Sequence, residues 1–336
     1  MKQKKIILSC IQPTGEMHFG NYFGAIKNWV ALQENSNCIF GVVDFHAMTM
    51  PYTPEILQSN TMGMVLDLLA CGINPDKAIL FIQSLVPEHA ELSWILGCFC
   101  SYGELQRMTQ FKDKSEYNKL QKKESIVSAG LFTYPILQAA DILMYHATHV
   151  PVGKDQEQHL ELSRNIAIRF NNKHGEYFKI PDVLFTEVPK LLSLADPSKK
   201  MSKSLGTQHV IGLFEDETSI RKKVKSAVTD VDAKKDKMSI GVANLFELLR
   251  ACDKEEEYNS LMNNYDAGTL KYSVLKENVA NGLLELSKRF IARKLELINN
   301  KNIIEEQVYD MSAKARAIAQ MTMRDVRAMV GLPKIK

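Results

Sequence analysis

The stretch Ile6-Ile7-Leu8-Ser9-Cys10-Ile11-Gln12-Pro13-Thr14-Gly15-Glu16-Met17-His18-Phe19-Gly20-Asn21 decides the fold, because it has the pattern of a strand, a tight turn and the start of a helix. Its first four residues form a short β-rich run, which breaks at Gln12-Pro13-Thr14-Gly15. A helix is predicted from about Gly20 to Glu34. Because a helix that starts where a strand ends offers free backbone N–H groups, this junction predicts a phosphate site at the edge of a sheet.

The same alternation of strand and helix continues to about Lys200. The runs 38–44 and 78–84 predict the second and third strands. Between them, Thr53-Pro54-Glu55 predicts a capped helix start and Cys71-Gly72 its end. This β-α-β-α-β order predicts an α/β fold with a Rossmann-like, doubly wound parallel sheet.

The later pattern predicts the domain organisation. A catalytic domain of residues 1–205 is expected, with a helical insertion at about 88–130 that carries a polar, mobile loop. Within it, a helix is predicted at 137–144, a strand at 149–152 and a helix at 156–171. After Gly206 the pattern is helical, which predicts a helical domain at 206–311 and a C-terminal segment at 312–336, whose helix runs from about Ser312 to Met329 and ends before Gly331.

Composition limits the class of protein. The 336 residues suffice for two domains, or for one large domain with an appendage, and 45% apolar with 24% charged residues is typical of a soluble globular protein. No run of about 18 uncharged apolar residues occurs, so no membrane span is expected. The apolar run after Lys5 is too short for a secretion signal, so we expect a cytoplasmic protein.

The six cysteines form no CxxC pair and sit mostly in apolar company, which indicates buried thiols in a reducing compartment. Their spacing gives no support for an iron–sulfur cluster, and no metal held by protein ligands is expected. The net charge is only +3, but the bases outnumber the acids between Arg221 and Lys237. Such a run is either a solvated face or a contact for a nucleic acid.

A second string, Lys200-Met201-Ser202-Lys203-Ser204, stands beside a possible hinge at Leu205-Gly206. Its two lysines are cations that could meet the negative charge that builds on a phosphate leaving group when a bond to phosphorus breaks. Lysines that meet this charge only in the transition state raise the rate. In the first string, His18 and Asn21 can donate hydrogen bonds to phosphate, and Gly20 leaves room for an adenine or ribose against the backbone. A plain basic loop is the alternative.

Together the two strings resemble the HIGH and KMSKS signatures of class I aminoacyl-tRNA synthetases, with Asn21 where that pattern has a second histidine. Further stretches in order along nearly the whole chain resemble bacterial tryptophanyl-tRNA synthetases. They are Ile11–Gly15, Gly20–Tyr22, Asp44–Ala47, Gly103–Leu105, Arg107–Lys112, Ala139–Leu143, Val150–Gln156 and Ser226–Asp230.

The resemblance implies roles for individual residues. Asp141 would accept the indole N–H of tryptophan, Gln156 would hold the amino group, and Gln12 would lie near the carboxylate and the α-phosphate. Asp155 would bind a ribose hydroxyl. Lys114 would approach the pyrophosphate with Lys200 and Lys203. The remaining tryptophan pocket would be Leu8, His46, Tyr134, Gln138, Val150 and Val152, and the remaining ATP contacts Thr14, His18, Gly20, Asn21, Gly153, Met201 and Ser202.

The resemblance also implies ATP with Mg²⁺ as a substrate, tRNA(Trp) and L-tryptophan as partners, and a homodimer. The helical domain at 206–311 would then be the anticodon-binding domain, and its residues Lys222, Lys223 and Lys225 would contact the transfer RNA.

Three departures from that family, at Cys10, Gln138 and Lys190, keep alternatives open. An amide at 138 could hydrogen-bond a phenol, so a tyrosyl-tRNA synthetase is the nearest alternative. A small-molecule adenylyltransferase of the same fold and a catalytically silent RNA-binding relative are the others. For Asp141 itself, the alternative is an exposed carboxylate on a surface helix.

Overall fold

The computed structural model describes residues 4–108, 128–151, 153, 157–185, 191–229 and 238–334. Several predicted features lie outside the described residues, namely the polar loop of the insertion and Lys114, Val152, Asp155, Gln156 and Lys190.

Within these described residues, five strands form the sheet: β1 Ile6–Ile11, β2 Asn37–Val42, β3 Ala78–Ile82, β4 His149–Pro151 and β5 Asp182–Leu184. All pair in parallel in the order β3-β2-β1-β4-β5, which confirms the doubly wound prediction. Ile7 faces Cys38 on one side and His149 on the other. Because β1 and β4 are neighbours in the sheet but not along the chain, a topological switch point lies between them.

The helices are α1 Phe19–Asn21, a π-helical turn Tyr22–Ile26, α2 Lys27–Leu32, α3 Asp44–Ala47, α4 Pro54–Ala70, α5 Glu88–Gly97, α6 Tyr102–Gln106, α7 Ala129–Met144, α8 Glu157–His174, α9 Glu217–Lys225, α10 Ile240–Ala251, α11 Glu255–Asp266, α12 Tyr272–Asn299 and α13 Lys301–Val330. Thr53 caps α4 through the N–H of Ile56, as predicted. In the described part of the chain, no helix is both long and apolar enough to cross a membrane.

The second strand ends two residues earlier than predicted, at Val42, because Asp44 starts α3 and turns to the neighbouring strand end. Its Oδ1 accepts from the N–H of Ser84 at 2.9 Å, and the hydroxyl of Ser84 donates to its other oxygen. This link ties the ends of β2 and β3 together just beyond the sheet.

The last helix starts at Lys301, so its predicted start near Ser312 is wrong. Ile304, Val308 and Met311 are buried and continue the helical spacing back from that point. At Ser312 itself the side-chain oxygen accepts from the N–H of Ile82, 3.2 Å away. The helix therefore covers the open edge of β3, which would otherwise expose unpaired backbone groups.

Candidate active site

A cavity of about 420 Å³ opens at the carboxyl end of β1, where ligands bind in doubly wound folds. Both strings singled out in the sequence contribute to its wall. Its lining residues are Ile11, Gln12, Thr14, Gly15, Glu16, His18, Asn21, Met64, Ser202 and Lys203.

His18 and Asn21 cap the helix that starts at this cavity. Nδ1 of His18 accepts from the backbone N–H of Asn21 at 3.3 Å, and Oδ1 of Asn21 accepts from the backbone N–H of His18 at 3.2 Å. This reciprocal pair is a capping box. Asn21, the departure from the family pattern, thus supplies an acceptor to the cap. The remaining donors are Nε2–H of His18 and the Asn21 amide N–H₂.

The imidazole of His18 is neutral near pH 7. Burial, together with the charges of Lys203 and Lys200, lowers its pKa from 6.5 to about 4. Since Nδ1 is the acceptor in the cap, the single ring proton is on Nε2. A neutral donor next to two cations suits a phosphate oxygen, whose own charge the lysines balance.

The second string packs directly on the first. Met201 is buried, and a Cβ built on Gly20 would lie 3.5 Å from its sulfur. A Cβ built on Gly15 would lie 3.7 Å from Nζ of Lys203. Gly206, at the predicted hinge, has a φ of +109°, a conformation that favours glycine. Two sequence-distant motifs thus share one site.

Backbone pairing anchors both ends of the second string. On one side, Lys200 forms an antiparallel bridge with Leu192. On the other, Gly212 bridges His18, and the N–H of Phe19 donates to Ile211 O at 3.0 Å. Lys203, which lines the cavity, is therefore held there by main-chain contacts at each end of its segment.

Asp141 lies on α7, on the same helical face as Tyr134 and Gln138. It is only 2% exposed, which excludes the surface-helix alternative. Its Oδ2 lies 2.9 Å from Nε2 of His46. Burial raises the pKa of this carboxyl, but hydrogen bonds and the charges of nearby histidines outweigh burial and hold the pKa below its usual value. Asp141 is therefore an ionised acceptor inside an apolar pocket.

The other predicted pocket residues fall around this carboxylate. Leu8 and Val150 are buried in one apolar cluster, on the same side of the sheet as α7. The hydroxyl of Tyr134 lies 2.8 Å from Nε2 of His159, and its ring meets that of His46 edge-on at 6.2 Å. Gln138 is half-buried. Gly153, near the end of β4, is described without a contact that assigns it a role.

Two partners of Asp141 were missed in the sequence, namely Gln83 and His89. Both are completely buried, just beyond β3 and at the start of α5. The sequence did hold a signal for such residues, because the run 78–84 that predicts the third strand ends in two polar residues, Gln83 and Ser84. Ligand-binding side chains collect at the carboxyl ends of the strands in this fold. The departure at Cys10 has a packing explanation, since its register partner is Gly41 and a Cβ there would come within 2.9 Å of the sulfur.

One of the three lysines on the basic helix α9 that were predicted to contact transfer RNA has a different role in the structure. Lys222 and Lys225 are exposed, as a nucleic-acid contact requires. Lys223 is instead used within the protein: its ammonium donates to Glu215 at 2.5 Å and to the carbonyl of Val210 at 2.9 Å. Its charge therefore stabilises the loop that bridges His18 and is not available for the predicted contact with transfer RNA.

Comparisons with known proteins agree with this geometry. The family model described as tRNA synthetases class I (W and Y) matches residues 1–288. Over 97% of its length, the chain is 41% identical to tryptophan--tRNA ligase 2 of Streptomyces avermitilis, 96% of which is covered. The crystal structure of tryptophanyl-tRNA synthetase from Campylobacter jejuni, complexed with ADP and tryptophan, has a TM-score of 0.83 at 34% identity, covering 97% of this chain and 100% of that one.

The crystal structure of the Mycoplasma pneumoniae tryptophanyl-tRNA synthetase has a TM-score of 0.86 at 32% identity, with 98% and 99% of the two chains covered. These relatives align over nearly their whole length, and the family model spans most of the chain. The family expected from the sequence is confirmed: the chain belongs to the class I tRNA synthetases of tryptophan and tyrosine, among the tryptophan--tRNA ligases.

Proposed function

We propose that this chain activates L-tryptophan with ATP, forming tryptophanyl-adenylate and pyrophosphate, and then transfers tryptophan to tRNA(Trp). The observation that carries the proposal is the position of Lys203, whose ammonium stands 3.7 Å from a Cβ built on Gly15 in the turn of the first string. Lys203, the cation of the second string, therefore lies beside the turn of the first string, where phosphate would bind. Relatives with the same fold are tryptophan--tRNA ligases.

In the activation step, the tryptophan carboxylate attacks the α-phosphorus and the bond to the pyrophosphate oxygen breaks. Gln12 would lie beside these reacting groups, since it follows β1 and lines the cavity. Nε2–H of His18 and the amide of Asn21 would donate to phosphate oxygens. Lys203 and Lys200 would balance the charge that develops on pyrophosphate, for which one preorganised donor contributes roughly 3 kcal/mol.

The preference for tryptophan over tyrosine would come from Asp141. An ionised, buried acceptor is satisfied by the one polar group of an indole ring, deep in an otherwise apolar pocket. A phenol would instead carry its hydroxyl at the end of a smaller ring. The half-buried Gln138 stays compatible with tryptophan because its amide need not be desolvated completely.

ATP would arrive with Mg²⁺, a cation that binds chiefly to substrate phosphates. The exposed Lys222 and Lys225 would contact transfer RNA. The chain would form a homodimer, as the resemblance implies, and Trp94, 80% exposed, and Tyr102, 67% exposed, are two aromatic side chains within the predicted insertion that such an interface would cover. Since charged transfer RNA is consumed in protein synthesis, the cytoplasm is the proposed location.

The test is ATP–pyrophosphate exchange with each proteinogenic amino acid in turn. Exchange stimulated by tryptophan alone is expected. Stimulation by tyrosine would retain the reaction but overturn the role of Asp141. No stimulation from the folded protein with Mg²⁺ would favour an adenylyltransferase with another substrate, or a silent RNA-binding relative.

A further inference from the structure

The Asp141 carboxylate is held by residues that do not belong to the predicted pocket. The side-chain amide of Gln83 donates to Oδ1 at 2.8 Å, and Nδ1 of His89 lies 2.7 Å from the same oxygen in a bent contact. Both side chains are 0% exposed. Since a buried polar group is costly unless it is paired, these two side chains are placed to serve the carboxylate.

His89 is itself fixed in orientation. Its Nε2 lies 2.8 Å from the hydroxyl of Tyr145, and its ring stacks on Phe81 with centroids 5.5 Å apart and planes 11° apart. Nδ1 lies against Oδ1 of Asp141. When Tyr145 donates to Nε2, the ring hydrogen is on Nδ1, the nitrogen beside the carboxylate. Tyr145 then holds His89 so that the partially positive edge of its ring lies against Oδ1.

Counting acceptor positions shows what remains for a ligand. A carboxylate offers about four lone-pair positions, two on each oxygen. Among the described residues, Oδ1 accepts from Gln83 and has Nδ1 of His89 packed against its other side, and Oδ2 lies 2.9 Å from Nε2 of His46. These contacts of the described residues leave one position for a ligand, and it is on Oδ2. Rotation of the carboxylate would break all three contacts.

We propose that Gln83 and His89 are positioning residues that orient Asp141 so that Oδ2 alone is open to the ring N–H of tryptophan. The inference rests on the proposed function, in which Asp141 accepts that N–H. Without either residue the carboxylate rotates. The pocket still encloses an indole-sized ring, but the carboxylate accepts the hydrogen bond from the ring N–H less well. The two residues therefore act on selectivity for the N–H group more than on binding of the ring.

The experiment compares tryptophan with benzothienylalanine, its analogue in which a ring sulfur replaces the N–H. For each variant, the ratio of kcat/KM for the two is measured by pyrophosphate exchange on one preparation, so that the folded fraction cancels. His89→Leu and Gln83→Met are each expected to lower the ratio by about tenfold or more. His89→Asn, which keeps an N–H near the position of Nδ1, is expected to retain most of it.

Asp141→Ala tests the role of Asp141 in the proposed function separately from the positioning role of Gln83 and His89. If it leaves the ratio unchanged, Asp141 is not the acceptor and its role in the proposed function fails together with this inference. If Asp141→Ala lowers the ratio but His89→Leu and Gln83→Met do not, the positioning role alone is overturned. A loss in His89→Leu that His89→Asn does not rescue would assign the effect to packing on Phe81 and overturn the role of His89.

Discussion

The ammonium of Lys203 stands over Gly15, where an added methyl group would lie 3.7 Å from Nζ. Gly15 has a φ of +93°, so this residue also supplies a backbone conformation that other residues rarely adopt. Burial lowers the pKa of Lys203, partly opposed by the charges of Glu16 and Asp67. The cation is thus brought close to the turn with no side chain between them, and a phosphate entering there would meet it directly.

Removing that cation should slow activation without weakening the binding of tryptophan. Lys203→Ala is expected to lower kcat for pyrophosphate exchange by about 100-fold, equivalent to roughly 3 kcal/mol of transition-state stabilisation. Lys199→Ala is the matched control, because that ammonium pairs with Asp196 at the surface, 3.1 Å away. A loss confined to the KM for tryptophan would contradict a transition-state role.

A methyl group at Gly20 should disturb ATP binding. The Cβ of Gly20→Ala would lie 2.8 Å from Nδ1 and 2.9 Å from Cε1 of His18, so the imidazole must leave its capping position. The KM for ATP is expected to rise while the KM for tryptophan changes little.

Gly63→Ala on α4 controls for the glycine-to-alanine change, because nothing lies within 4 Å of its added Cβ. It should leave both KM values unchanged and stabilise the helix by up to about 1 kcal/mol. Equal KM values in Gly20→Ala and the parent would show that the cap is not needed for ATP.

Acidification should destabilise the protein through His18. Its pKa is about 4 when folded and 6.5 ordinarily, so between these values the unfolded chain binds more protons and stability falls as pH falls. The penalty is absent above about pH 6.5 and reaches up to about 3 kcal/mol near pH 4.

The measurement is urea unfolding across that range for the parent and His18→Asn. Asparagine at position 18 does not titrate, so the stability of the variant should decline less steeply on acidification. Parallel pH profiles for the two proteins would show that His18 is not responsible.

The exposed lysines of α9 should contribute to transfer RNA binding as phosphate contacts. Lys222→Ala with Lys225→Ala is expected to weaken binding and to flatten the slope of log affinity against log salt by about 1–2. Lys223→Ala is the internal comparison: it leaves Glu215 without its cation, so it should lower stability rather than the salt slope. An unchanged slope in the double variant would rule out the contact.

Local patterns predicted the features that depend on neighbouring residues. The alternation of strands and helices, the cap at Thr53 and the meeting of the two strings all follow from periodicity or from the topology of parallel sheets. The partners of Asp141 could not be found this way, because Gln83 lies 58 positions away in sequence. Likewise, the basic run around Lys223 shows positive charge, but only the fold shows that one ammonium meets Glu215.

The bridges of Lys200 with Leu192 and of Gly212 with His18 fix both ends of the segment that carries Lys203. A segment tethered in this way can travel only as far as its own slack permits, and it need not move the helical domain with it. Its excursions should therefore relax within nanoseconds to microseconds, as loops do, rather than on the slower scale of domain rotation. A fluorophore on the segment would report the approach of ATP, and a dye pair spanning the two domains would give a constant signal.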